Sequence, residues 1–308
     1  MRHLDLLIAA PSDPGRLELW GDYHFARELQ LALHGRGVST RLLHRDTHAR
    51  VPPAPAGSDL LVLRGKFAPG ADWLRAAPYR RKAVWMISWP LDPSPAELAD
   101  YDLVLAASAQ DQPRLARLSG RPVHTLLQAS GLGQRARPRP ARSGLLFVGN
   151  CRGMERPIVA AFSRAGEPVE LIGEGWESVG LKAAAPCLAN DALPVRYGEA
   201  LAVLNDHHGA MAAYGYLNNR LFDALACGVP VITDVAPGCP PELESGVIRL
   251  GPGNDPGEAL ARARTLRRDE GTLAAVGAAA RERHSFVARA ETLLGILEAA
   301  PRASEHRD

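Results

Sequence analysis

Cysteine is scarce: Cys151, Cys187, Cys227 and Cys239 are the full set, and no two stand in a C-x-x-C spacing. Neither a zinc site nor a disulfide framework is indicated, and Cys227 reads as a small core residue near a helix end. Charge of one sign is scarce as well. A formal net charge of +2 is too small an excess to point to nucleic acid as a partner. Long apolar runs are missing too, since no stretch approaches the roughly 18 residues of a membrane-spanning helix. The opening MRHLDLLIAAP carries a basic residue and a short apolar run, but Asp5 interrupts it. It therefore reads as a first strand rather than a leader peptide, and the expected compartment is the cytoplasm.

What is present is the composition of an ordinary globular chain, 46% hydrophobic and 23% charged. Its 308 residues suffice for two domains of about 150 residues, each with its own core. Short apolar runs alternate with helix-compatible stretches. Leu4 to Ala10, Val38 to His44, Leu60 to Leu63, Ala83 to Ser88, Leu103 to Ala107 and Val123 to Leu127 are strand candidates. Asp22 to Gly35 has helical spacing, with Asp22 as its expected cap. The alternation restarts with Leu145 to Val148, Val169 to Ile172, Leu201 to Leu204 and Val229 to Thr233. The expected fold class is α/β, two Rossmann-like doubly wound parallel-sheet domains facing a cleft. The first domain is expected over residues 1–130 and the second over 143–284, with a final helical segment over 285–308. Between them GLGQRARPRPARS changes composition abruptly, and residues 131–142 read as a solvated, proline-broken linker.

The most informative segment is LAVLNDHHGAMAAYGYLNNRLFDALACGVPVITD, from Leu201 to Asp234. It reads as a strand, a polar tip (Asn205, Asp206, His207, His208), a loop, a helix, a Gly228 stop and a second strand. The helix opens at Asn218-Asn219-Arg220, with an asparagine as N-cap. Backbone amides of the first turn lack intrahelical partners and the helix dipole favours negative charge there. Leu217, Asn218, Asn219 and Arg220 are thus an expected seat for a phosphate. Gly149, Asn150 and Gly173 stand at other strand exits, and Arg152 and Arg156 follow as further phosphate contacts or as solvated helix-start residues. Asn205 and His207 either meet the ligand or lock their loop as a satisfied polar cluster. Adjacent histidines with no spaced third ligand do not make a metal site, and no metal is expected.

These residues resemble a glycosyltransferase of the GT-B fold, and more narrowly the spore-maturation CgeB-like group. The matching stretches are GLLFVGN with a following arginine, the LNDHH tip, the GYLNNRLFDALACGVPVITD run and HSFVARA near the end. WGDYHFARELQLAL and MISWP in the first half match more loosely. The resemblance implies that the second domain binds a nucleotide-diphosphate sugar as co-substrate, with no other cofactor. It implies that the first domain binds the acceptor, and that the last helix crosses back to the first domain. The acceptor, a glycan, small molecule or peptide, is not specified. Retaining members often carry a Glu-x7-Glu motif; Asp223 takes its second position, for ribose contact, while Gly215 stands at the first.

On this reading the enzyme is a metal-independent, hexosyltransferase-type glycosyltransferase, with the stereochemistry of transfer open. Arg220 is expected to stabilise the departing diphosphate, so that Arg220→Ala nearly abolishes turnover while the protein stays folded. Asp223 meets the ribose, or pairs with Arg220 one turn away, or both. Asp22 or His24 faces the acceptor as a catalytic candidate, with His24 as the general base if transfer inverts the sugar, or they cap and ride the first helical turn; Trp89 shapes the acceptor pocket or edges the core. Asp100-Tyr101-Asp102 resembles a D-x-D metal motif but precedes a strand, so it reads as a helix-to-strand junction. Two rival functions remain: a nucleotide-sugar epimerase or hydrolase on the same fold, and a nucleotide-sugar binding protein without catalysis.

Overall fold

Strand-period apolar runs and helical connections produce two all-parallel sheets in the computed structural model, which describes residues 2–300 except positions 90, 92, 235, 236 and 252. Pro90 of the MISWP stretch and residues 301–308 of the expected final segment therefore lie outside the described residues. The chain forms two units. One holds the residues up to Gln128, Gly209–Tyr216 and the stretch from Phe286 onward; the other holds Ala129–His208 and Leu217–Ser285.

In the first unit the strands are β1 (His3–Ile8), β2 (Ser39–His44), β3 (Asp59–Arg64), β4 (Arg81–Met86), β5 (Leu103–Ala106) and β6 (Val123–Thr125). Their order across the sheet is β2-β1-β3-β4-β5-β6. β3 is buried along its whole length and β4 nearly so, as expected for parallel strands covered on both faces. The connecting helices are α1 (Pro14–Leu17), α2 (Gly21–His34), α3 (Ala71–Ala76), α4 (Pro95–Ala99) and α5 (Gln112–Ser119).

In the second unit the strands are β7 (Leu145–Val148), β8 (Val169–Ile172), β9 (Ala202–Asn205), β10 (Val231–Thr233) and β11 (Val247–Arg249), ordered β11-β10-β9-β7-β8. Helices α6 (Pro157–Arg164), α7 (Leu193–Glu199), α9 (Asn219–Ala226), α10 (Pro256–Arg268) and α11 (Glu270–Arg283) belong to the same unit. Its core gathers Phe147, Phe162, Trp176, Leu204 and Ile232, all fully buried. Burial pushes the Cys227 thiol up to about 12, consistent with a structural role for that residue.

Two further helices, α8 (Gly209–Ala213) and α12 (Phe286–Ala299), belong to the first unit although they follow strands of the second in sequence. α12 lies against α2, with the Phe25 and Phe286 rings 4.6 Å apart edge to face. Arg289 donates to the Leu127 and Gln128 carbonyls. Tyr216, just after α8, donates its hydroxyl to the buried Asp111 carboxylate at 2.8 Å.

Three readings of the sequence need correction, and a fourth, the helix-to-strand junction at Asp100-Tyr101-Asp102, holds. Asp22 does not cap α2; the helix begins at Gly21 behind Trp20, which places Asp22 inside the first turn. α8 lies in the stretch read as a loop, and β11 is a strand the sequence reading did not name; they are five and three residues long, too short for periodicity to mark. Residues 131–142 are not solvated throughout. Leu132 and Ala136 are buried, and Arg267 donates to the Arg139 carbonyl at 2.7 Å. Asp100-Tyr101-Asp102 joins α4 to β5: Asp100 pairs with Arg75 at 2.8 Å and Asp102 accepts from the Lys82 amide at 2.8 Å. Burial holds the Tyr101 phenol above its ordinary range.

Candidate functional site

An open parallel sheet offers a ligand seat where the strand order reverses, at the carboxyl ends of the strands on either side. In the second unit that point lies between β7 and β9, which pair side by side while β8 and β10 run outward. The polar tips of the sequence collect there. β7 exits into Gly149-Asn150, β9 into Asp206-His207, and α9 begins beside both with Asn218 as its N-cap.

Arg220 closes this corner. Its Nε donates to the Val148 carbonyl at 2.9 Å and its Nη1 to Asn205 Oδ1 at 3.2 Å. Nη1 also lies 3.5 Å from the Asp206 carboxylate, and the guanidinium sits 4.3 Å from the Phe147 ring centre. Arg156, at the N-cap of α6, reaches the other oxygen of Asp206 at 3.2 Å and the Asn150 carbonyl at 2.8 Å. Asp206 is nearly buried, so two arginines share one carboxylate and the group keeps a net positive charge. The hydroxyl of the fully buried Tyr197 is held above its ordinary range by burial, with the Arg220 charge opposing.

Two buried polar atoms at this corner have no hydrogen-bond partner among the described residues: Arg156 Nε, a donor, and Asn219 Oδ1, an acceptor. Native structures rarely leave such groups unpaired, and a site awaiting a polar ligand is one accepted reason. The amides of Leu217, Asn218 and Asn219 likewise donate to no acceptor among the described residues. Asn218 is committed elsewhere: its Oδ1 caps the Leu221 amide at 3.4 Å and its Nδ2 donates to the Asp206 carbonyl at 2.8 Å.

Other expected site residues are used in building the corner. Gly149 leaves room for Arg220, since a Cβ there would stand 2.6 Å from Nη2. Gly173 lets the β7 and β8 exits touch, since its Cβ would stand 2.3 Å from the Gly149 carbonyl oxygen. Asn150 accepts from the Glu174 amide at 2.9 Å. His207 is fully enclosed, with Nδ1 2.6 Å from Asp234 and Nε2 3.4 Å from Asn205 Nδ2. That is the loop-locking alternative for Asn205 and His207. Arg152 is exposed at a left-handed φ of 60° in the turn after β7.

The expected pairing of Asp223 with Arg220 does not form, because Arg220 takes Asp206 as its carboxylate partner. The Asp223 Oδ1 accepts from Ser130 Oγ at 2.8 Å and from the Gly131 amide at 2.9 Å. Ser130 in turn bridges Ser285, so Asp223 ties α9 to the paired segments by which the chain enters and leaves this unit. Gly215, where the motif would place an acid, has a φ of 71° and no room for a side chain. A Cβ there would meet Gln110 Oε1 at 2.8 Å.

In the first unit the switch point lies between β1 and β3. Asp22 reaches it: its Oδ2 lies 4.0 Å from where a Cβ on Gly65 would stand, and Ser88 Oγ lies 3.1 Å from that same point. His24 is turned elsewhere, its Nε2 2.9 Å from the Glu18 carbonyl. A carbonyl only accepts, so in this contact Nε2 is the donor. Three contributors went unnoticed in the sequence: Phe147 as the platform of Arg220, Asp234 as the partner of His207, and Tyr197. The first two lie inside the quoted GLLFVGN and VPVITD stretches, whereas no signal marks Tyr197. Among the described residues no three His, Cys, Asp or Glu side chains converge to hold a metal ion, and no helix is long and apolar enough to cross a membrane.

Residues 152–295, which carry this corner from Arg156 to Asp234, match the family model described as glycosyl transferase-like. The fold is that of the GT-B glycosyltransferases. A glycosyltransferase involved in avilamycin A biosynthesis, AviGT4, superposes with a TM-score of 0.62 at 17% identity, over 97% of this chain and 98% of its own. A sucrose-phosphate synthase from Thermosynechococcus elongatus superposes with a TM-score of 0.61 at 15% identity, over 98% of this chain and 100% of its own. HepE from Anabaena, in complex with UDP-glucose, gives a TM-score of 0.61 at 12% identity, over 97% of this chain and 100% of its own. No curated protein matches the chain.

Proposed function

We propose that the protein is a glycosyltransferase of the CgeB-like group that moves a hexose from a nucleoside-diphosphate sugar to an acceptor hydroxyl without a metal. The observation that carries this reading is the Arg220–Asp206–Arg156 group at the second unit's switch point, net positive, beside the amides of Leu217 to Asn219, which donate to no acceptor among the described residues. Charge develops on the departing diphosphate as the anomeric carbon–oxygen bond breaks. Donors already fixed in place stabilise that charge without reorganising at the moment of reaction. Arg220 is fixed in this sense by Val148, Asn205 and the Phe147 ring. The UDP-glucose held by the structurally similar HepE supports a uridine diphosphate sugar as the first donor to try.

The first unit takes the acceptor on this reading. As the acceptor oxygen bonds to the anomeric carbon, the electron pair of the broken bond leaves on the β-phosphate. In an inverting transfer Asp22 takes the acceptor proton; in a retaining transfer the departing phosphate takes it. A structurally similar protein from Listeria monocytogenes, a putative UDP-N-acetylglucosamine 2-epimerase with a TM-score of 0.54, keeps donor-only chemistry as the rival. The test is release of nucleoside diphosphate from a panel of UDP-, GDP- and TDP-sugars, with and without a glycan and small-molecule acceptor library. Acceptor-dependent release that survives EDTA is expected. Conversion of the donor alone would favour the rival, and release abolished by EDTA would refute metal independence.

A further inference from the structure

Trp89 is a backbone outlier with no Gly excuse. Its φ is 53°, a left-handed conformation uncommon for bulky residues, at the exit of β4. The residue before a proline also favours extended backbone, and Pro90 follows it in the sequence. Strain of this kind persists where surroundings impose it, and it clusters at ligand sites. The surroundings are those of the first unit's switch point. Lys66, next to Gly65 at the β3 exit, holds its ammonium 3.9 Å over the Trp89 ring. Lys66 is exposed, and no ion pair joins it to a carboxylate among the described residues. Beside it Gly65 is buried, with Ser88 Oγ 3.1 Å and Asp22 Oδ2 4.0 Å from the position of a Cβ there.

This cluster separates two chemistries. The Asp22 carboxylate and Ser88 hydroxyl, both half-buried beside Gly65, are groups that can bond a hydroxyl. The Lys66 ammonium, steadied by the indole, still has donors for an anionic oxygen group. We propose that this corner is an acceptor subsite for a molecule carrying a carboxylate or phosphate near the hydroxyl that receives the sugar, with Lys66 as the residue that selects the anion. The proposal rests on the glycosyltransferase reading, and it adds the acceptor class and the residue that reads it.

The test titrates the full-length protein with glucuronate, glucose 6-phosphate and glucose, followed by tryptophan fluorescence, with UDP titrated in parallel. At least one anionic sugar is expected to bind ten-fold or more tighter than glucose. Lys66→Gln is expected to erase that preference while leaving UDP affinity unchanged. Preference for glucuronate identifies a carboxylate acceptor, and preference for glucose 6-phosphate a phosphorylated one. Trp89→Gly, which removes the backbone conflict, is expected to melt no lower than the parent while losing the anionic sugar. A wall residue with only a structural role would lower the melting temperature instead. Equal or absent binding of all three sugars, or an anion preference intact in Lys66→Gln, overturns the proposal. Loss of UDP binding by the parent protein counts against the donor reading, not against this subsite.

Discussion

Arg220→Lys is expected to lower kcat/KM for sugar transfer roughly a hundred- to a thousand-fold while the protein remains folded, the usual cost of removing one fixed donor from developing charge. The guanidinium makes three directed contacts at once, to Val148, Asn205 and Asp206, and sits over the Phe147 ring 4.3 Å from its centre. A lysine keeps the charge but has neither the planar fork nor the stacking surface. Arg220→Ala, by contrast, is not expected to be a clean kinetic variant. It leaves the Val148 carbonyl and Asn205 Oδ1 short of a donor and Asp206 with one arginine fewer. A loss of about 3 kcal/mol of stability is expected for such buried groups. Melting curves and steady-state rates for both variants, taken below the lower melting temperature, check this. A folded Arg220→Lys enzyme at the parental rate would remove Arg220 from the reaction.

The second large effect is expected at Gly173. An alanine there places a methyl 2.3 Å from the Gly149 carbonyl oxygen, on a backbone whose φ of 141° already disfavours a side chain. The neighbouring atoms are backbone and cannot rotate aside. Gly149 donates its amide to Ile172 at 2.7 Å, and its carbonyl accepts from Trp176 Nε1 at 3.1 Å. Strain and overpacking together are expected to cost roughly 3 kcal/mol, a fall of about 6–12 °C in Tm. Because Gly149 also borders Arg220, UDP affinity is expected to fall with stability. Gly295→Ala is the control: it lies in α12 with nothing within 4 Å of its Cβ. There the substitution should be neutral or stabilising. Equal melting temperatures for the two variants would contradict this account of the β7–β8 contact.

Much of the second unit was legible because its elements carry local signals. Asn218 caps α9 and Gly228 ends it at a φ of 67°, as the residue types require. β10, buried throughout, follows from an unbroken apolar run. The partners of the site were not legible in the same way. Val148 is 72 residues from Arg220, and Asp234 is 27 from His207, so only the sheet order brings them together. The expected Asp223–Arg220 pair shows the limit of helical spacing. The i,i+3 rule measures proximity along one helix, whereas Asp206 and Ser130 offered each residue a better partner. Gly215 is legible only afterwards, since its sequence says that an acid is missing and the structure says that none fits.

A crystal structure with UDP bound tests the central claim most directly. The expected result is a diphosphate at the start of α9, its oxygens within hydrogen-bond distance of Arg220 or the Leu217 to Asn219 amides, with no metal between. A diphosphate bound away from that helix start would contradict the account.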